Sequence, residues 1–129
     1  MSALDEFLNL NDVMEIKETI PVIVNGKKLE IVVRPISETE HNEFQRRANE
    51  VKRNKLIFDS GKYKNLILES CIVEPNFKDA EFLKKAGCLS ASEFINKKFP
   101  AGAVANIVER IQKLSGFDSY DMEIENAKN

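Results

Sequence analysis

VEPNFKDAEFLKKAGCLSASEFINKKFPAGAVANIVERIQKLSGFD, residues 73–118, decides the fold, because helix start and stop signals follow one another through it without a gap. The first helix is predicted from Asn76, whose side chain suits an unpaired amide of the first turn while Asp79 reaches back as in a capping box. Phe77, Phe82 and Leu83 follow, and Gly87 supplies a left-handed stop. Ser90 with Glu93 three residues on marks the next start, with Phe94, Ile95 and Phe99 as candidates for burial. Pro100 ends that helix and suits the first position of another, where a missing N–H is no loss. Val104, Ile107, Val108, Ile111 and Leu114 then repeat at helical spacing, with Glu109, Arg110, Gln112 and Lys113 outside the stripe and Gly116 closing the helix.

Upstream, Ile16 to Val24 and Lys28 to Val33 flank Asn25-Gly26, a pair that tolerates the positive φ angles of a type I′ hairpin turn. That turn sets Val22 opposite Leu29 and Ile20 opposite Ile31 on one apolar face, which helices are expected to cover. Pro21 falls opposite Glu30 at a non-hydrogen-bonded site, so the outer edge of the first strand lacks a donor there. The second strand has no proline before Pro35. Its outer edge at Ile31, Val32 and Val33 is either covered by the protein's own chain or a second copy, or open to an added strand from a partner.

Ser37 and Glu40 form another capping box, opening a predicted helix to about Asn54 with Phe44, Ala48 and Val51 as its apolar side. Asp59, Ser60 and Gly61 break the chain before Tyr63 to Val73, where Leu66, Ile67, Leu68, Cys71, Ile72 and Val73 leave little room for a polar face. This is the predicted central helix, on which the stripe from Val104 to Leu114 should dock. Ser2 to Leu10 reads as a short helix with Leu4, Phe7 and Leu8 on one face, or as a flexible arm. The expected class is α+β: a mainly helical single domain over 1–117, with an N-terminal β-hairpin packed on a helical bundle and an acidic, mobile tail over 118–129.

The chain of 129 residues, 43% apolar and 31% charged, fits one ordinary globular domain. Asp5 and Glu6 stand where a signal peptide needs a basic start, no apolar run reaches membrane-spanning length, and Cys71 and Cys88 suggest reduced thiols in a cytoplasm. The net charge of −2 conceals a basic middle: residues 45–64 hold seven bases and two acids. Within it, Gln45 to Lys55 carries Arg46, Arg47, Lys52, Arg53 and Lys55 on the predicted helix. A solvated face explains such a cluster, an acidic protein partner comes next, and nucleic acid last, since the whole chain is acidic and no aromatic interleaves the bases.

Chemistry is poorly represented. His41 reads as an exposed surface histidine, and His41, Cys71 and Cys88 show no paired ligand spacing, so neither catalytic residues, nor a metal, nor a cofactor is expected. Gly102 and Gly116 belong to a helix start and a helix stop rather than to a phosphate loop. Phe94 and Phe99, on a short helix between two breaks, are core candidates that also suit an apolar binding edge.

The runs VEPNFKDAE, SASEFINKKFPAGAVANIVERI and KLSGFD resemble the XkdN-like family of phage tail assembly chaperones. Ser115 replaces the Asn of that pattern and the KKFPAG break is shorter than its leucine-rich counterpart. With weaker matches toward the N-terminus, the resemblance covers nearly the whole chain. It implies a non-enzymatic protein of the host bacterial cytoplasm, made from a phage, prophage or phage-tail-like bacteriocin cluster with a contractile tail. Such a protein would hold the tape measure protein soluble and help recruit tail tube subunits. The partner-binding candidates are Ile31, Val32, Val33, Arg46, Arg47, Arg53, Phe94 and Phe99, with self-association compatible and no membrane partner. The competing reading is a small nucleic-acid-binding regulator using Gln45 to Lys55; a small enzyme or metal-dependent protein ranks third.

Overall fold

The computed structural model describes residues 2–117, so the expectation for 118–129 lies outside the described residues. Its elements run α1 (Ala3–Leu8), β1 (Glu18–Val24), β2 (Lys27–Val33), α2 (Glu38–Ala48), β3 (Asn49–Lys52), β4 (Lys55–Phe58), α3 (Ser60–Cys71), β5 (Ile72–Glu74), α4 (Ala80–Ala86), α5 (Ala91–Lys98) and α6 (Ala101–Leu114). A 3-10 turn at Val13–Glu15 stands between α1 and β1. The fold is mixed α+β, with several helices and a small sheet region ordered β1-β2-β5 beside a separate β3-β4 pair.

The first hairpin forms as its turn residues dictate. Asn25 and Gly26 take φ angles of 53° and 78°, and the register sets Val22 against Leu29, Ile20 against Ile31 and Pro21 against Glu30. Alternation then sends Ile20, Val22, Ile31 and Val33 into the core. Leu29 shares their face but stays 49% exposed, which leaves an apolar side chain in reach of a partner.

Three elements differ from the sequence expectation. The predicted helix Tyr63 to Val73 stops at Cys71, and Ile72–Glu74 instead forms β5, pairing antiparallel with Val32 and Val33 through a bulge. Ile72 and Val73 are β-branched, and Glu74 is biased away from helical angles by the proline after it. The Arg34 amide completes the junction by donating to the Cys71 carbonyl at 2.9 Å. The edge at Val32 and Val33 is therefore covered by the protein's own chain.

The basic helix also ends early. α2 stops at Ala48, and the segment predicted to continue it becomes the β3–β4 hairpin, turned by Arg53 and Asn54 at φ 51° and 63°. Asn at a left-handed position and a β-branched Val51 favour the turn over more helix. The Asp59 amide donates to the Ala48 carbonyl at 2.8 Å, tying the hairpin's end to that of α2. Val51, expected in the core, is 73% exposed. Finally, α4 begins at Asp79 rather than Asn76: Asp79 Oδ2 accepts from the Phe82 amide at 2.9 Å, while Asn76 Oδ1 accepts from the Lys78 amide and closes a turn before the helix.

The remaining helices follow their signals. Ser37 and Glu40 make the reciprocal capping box on α2, and Ser90 accepts from the Glu93 amide on α5, where Glu93 reaches back to Leu89 instead of the cap itself. Pro100 sits at the N-cap of α6, one position before the expected N1. Leu66, Ile67, Leu68 and Cys71 of α3 meet Val104, Ile107 and Ile111 of α6 in one core, with Val108 and Leu114 half-buried at its border. α6 also packs on β1, and α3 on α2 and α5.

Among the described residues Arg34 is the buried charged one. Its guanidinium grips Glu40 with both Nη atoms at 2.8 Å and donates to the Pro35 carbonyl at 3.0 Å. This bidentate bond holds the Glu40 carboxyl below its usual range, against the opposing effect of burial. His41, expected to be exposed, is half-buried: Nδ1 and the Tyr63 hydroxyl share a 2.7 Å hydrogen bond, and its ring packs against those of Tyr63 and Phe117.

Candidate functional site

An apolar opening lies where the first hairpin faces α4 and α5. Its floor is Val22, Val24, Leu29 and Ile31, its walls are Pro75, Phe77, Phe82, Phe94 and Phe99, and Lys98 stands at the rim. The opening holds about 370 Å³, within the span of about 300–1,000 Å³ usual for ligand clefts.

Each wall is placed by a local device. The turn at Asn76 positions Phe77, the Asp79 cap starts α4 so that Phe82 follows in its first turn, and the Ser90 cap does the same for Phe94 in α5. Phe99 is set by its place between the end of α5 and Pro100, its amide donating to Ile95 at 2.9 Å. The rings lock together: Phe82 and Phe94 meet at 4.8 Å nearly edge to face, Phe77 and Phe94 at 5.4 Å, and Phe77 and Phe99 at 6.1 Å. These separations are those of favourable aromatic pairs, so the wall keeps its shape while one side of it still faces solvent.

A second feature adjoins the groove. β5 reaches no further along β2 than Val32, and Glu30 and Lys28, at non-hydrogen-bonded sites against β1, point their backbone N–H and C=O groups outward. The groove thus lies beside a short open strand edge.

Of the residues singled out from the sequence, the groove unites Ile31, Phe94 and Phe99. Val33 is fully buried in the core, and Val32 uses its outward amide against β5. Arg46 and Arg47 lie in the last turn of α2 and Arg53 in the β3–β4 turn, on elements that do not line the groove. Arg46 is paired with Glu43 at 2.6 Å, as a solvated helix face would have it. Leu29, Phe77 and Phe82 were missed as binding candidates. Their signal was present, in an apolar residue at the open end of a strand, in a phenylalanine just before α4 and in another in its first turn.

The groove offers shape and apolar surface, not reactive groups. Its lining residues include one carboxylate, Glu30, and one amine, Lys98, and no His, Cys, Ser or Thr. Burial pushes the Cys71 thiol up to about 12, so that sulfur stays protonated and inert. Among the described residues no group of three or more His, Cys, Asp or Glu could hold a metal ion, and no helix is long and apolar enough to cross a membrane.

Comparison with known proteins agrees with the architecture. No curated protein matches the sequence. The structure is similar to the crystal structure of the protein YqbN, with a TM-score of 0.58 and 19% identity over 79% of this chain and 87% of that one, a likeness of fold. The pattern of the phage XkdN-like tail assembly chaperone proteins matches residues 4–128, nearly the full length, and it includes the runs that place Phe77, Phe82, Phe94 and Phe99 around the groove. The chain belongs to the phage XkdN-like tail assembly chaperone family.

Proposed function

We propose that the protein is a non-enzymatic holdase of the host bacterial cytoplasm that keeps the tape measure protein soluble and helps recruit tail tube subunits during tail assembly. The observation that carries this reading is the half-open aromatic groove over the first hairpin. A tape measure chain is long and helical, and its apolar stripes self-associate unless covered. A groove with a fixed aromatic wall covers such a stripe without chemistry.

Magnitudes suit the task. Each Leu- or Phe-sized client side chain moved from water into the groove contributes about 1.5–3 kcal/mol, so two give roughly 5 kcal/mol gross. Lost freedom on association offsets most of that, so each groove holds its client weakly and reversibly. A chaperone that must hand over its client needs such a release.

The test is co-expression with the tape measure protein. Wild-type protein should keep the client in the soluble fraction, and Leu29→Glu, a charge on the half-exposed groove floor, should leave it in the pellet while the chaperone itself stays folded. Equal client solubility with the two proteins would sink the groove as the client site; no effect of wild type on the client would sink the holdase reading.

A further inference from the structure

Two other surfaces of this chain are exposed, apolar and oppositely charged. α1 is a short helix closed by its own capping box: Ser2 accepts the Asp5 amide, and the Asp5 carboxylate accepts the Ser2 amide in return. Leu4, Phe7 and Leu8, at helical spacing, are 76%, 70% and 80% exposed, and no residue of the helix is buried. Residues 2–16 carry Asp5, Glu6, Asp12 and Glu15 and no base.

The β3–β4 hairpin is the counterpart. Its pairing sets Val51 against Leu56 and Asn49 against Phe58, which puts Val51, Leu56 and Phe58 on one face. Val51 and Leu56 are 73% and 70% exposed, and Phe58 is half exposed. Residues 45–64 hold seven bases and two acids, and Arg47, Arg53 and Lys55 make no ion pair among the described residues.

We propose that α1 of one copy docks, with its acidic flanks, on the Val51, Leu56 and Phe58 face of the β3–β4 hairpin of a second copy. Apolar stripe meets apolar face, and a segment of charge −4 (four acids, no base) meets one of +5 (seven bases, two acids). Such complementarity steers the encounter and selects against like-charged partners. Within one chain the two surfaces leave each other uncovered, which is why a second copy is assigned as the occupant. Neither surface shares a residue with the aromatic groove, so the pairing is independent of the client reading.

Sedimentation and light scattering on the full chain at low salt test this without any client. The mass should rise with concentration from 14.7 kDa towards twice that or more. Phe7→Asp with Leu8→Asp, and separately Val51→Asp with Leu56→Asp, should each hold the protein at the mass of one chain, and all four positions are exposed enough to leave the core intact. Mixing the two variants should restore a one-to-one pair, because one still has its helix and the other its hairpin. Wild type that stays at the mass of one chain, association unaltered by either variant, or a mixture that fails to pair would each overturn the proposal. So would protection of the Phe7 and Leu8 amides in a monomeric sample, which would mean that α1 docks on its own chain.

Discussion

The hydroxyl oxygen of Ser115 accepts the amide of Ile36 at 2.8 Å across 79 residues of sequence, and the same hydroxyl donates to the Ile111 carbonyl at 2.6 Å. One small side chain at the end of α6 thereby satisfies the backbone where the chain passes from β2 towards α2. Ser115→Ala should leave the Ile36 N–H without a partner beside a buried side chain, at a cost of about 1–3 kcal/mol in denaturant unfolding. Ser115→Asn, which restores an acceptor, should lose less. Equal losses would show that the hydroxyl is not the feature that matters.

Arg34 and Glu40 set a pH dependence. The bidentate bond from Arg34 holds the Glu40 carboxyl below its ordinary value, which means that the unfolded state binds the proton more readily. Stability from this pair is present above the unfolded value of about 4.3 and is lost as the pH falls through the lower folded value. Glu40→Ala strands a buried guanidinium and should cost about 3 kcal/mol at neutral pH, the low end of the range for breaking a buried pair, since Glu40 still meets some water. It should also flatten the acid limb of a stability-against-pH curve; an unchanged limb would remove Glu40 as its source.

Cys71 predicts the opposite limb. Burial raises its pKa to about 12, while the unfolded thiol ionises near 8.5. Its contribution is intact below the unfolded value and declines as the pH climbs towards about 12. Cys71→Ala should lessen that alkaline loss. At pH 8, a thiol reagent should modify Cys71 only as fast as the native structure opens, and rapid labelling without unfolding would contradict its burial.

Ile107 is 1% exposed where α6 meets the core, and Val108 beside it is half-buried. Ile107→Ala should cost about 2–5 kcal/mol, the range for emptying a core aliphatic site. Val108→Ala, at a border that can relax, should cost clearly less. A change below about 0.5 kcal/mol for Ile107 would remove it from the core.

What the sequence revealed and what it withheld divide along local against non-local causes. The Asn25-Gly26 hairpin, the Ser37 and Ser90 caps and the Val104 to Ile111 stripe depend on neighbours a few residues away, and the structure repeats them. β5 depends on β2, forty residues upstream: Ile72 and Val73 suit helix or strand by composition, and the free edge at Val32 decides between them. The Lys52-Arg53-Asn54-Lys55 turn escaped notice because charged residues fit a solvated helix as well as a hairpin. In the groove, Phe94 and Phe99 were legible as a short apolar helix, but the floor under them required the hairpin and helices to meet, which no spacing announces.

The last expectation links a cap to the groove. Asp79 Oδ2 accepts the Phe82 amide at 2.9 Å and fixes the first turn of α4, from which Phe82 extends to meet Phe94 at 4.8 Å. Asn76, which the sequence offers as the alternative start, accepts the Lys78 amide with its side chain and the Asp79 amide with its carbonyl, both ahead of the helix. Asp79→Ala should therefore cost about 1 kcal/mol, as lost N-caps do, and should speed hydrogen exchange at the Phe82 amide. Asn76→Ala should spare that amide while loosening the turn that carries Phe77. Since Phe82 is part of the groove wall, the Asp79 variant should also solubilise a tape measure client less well than its small stability loss would suggest. Faster exchange at Phe82 in the Asn76 variant, with none in the Asp79 variant, would return the helix start to Asn76 and detach the cap from the groove.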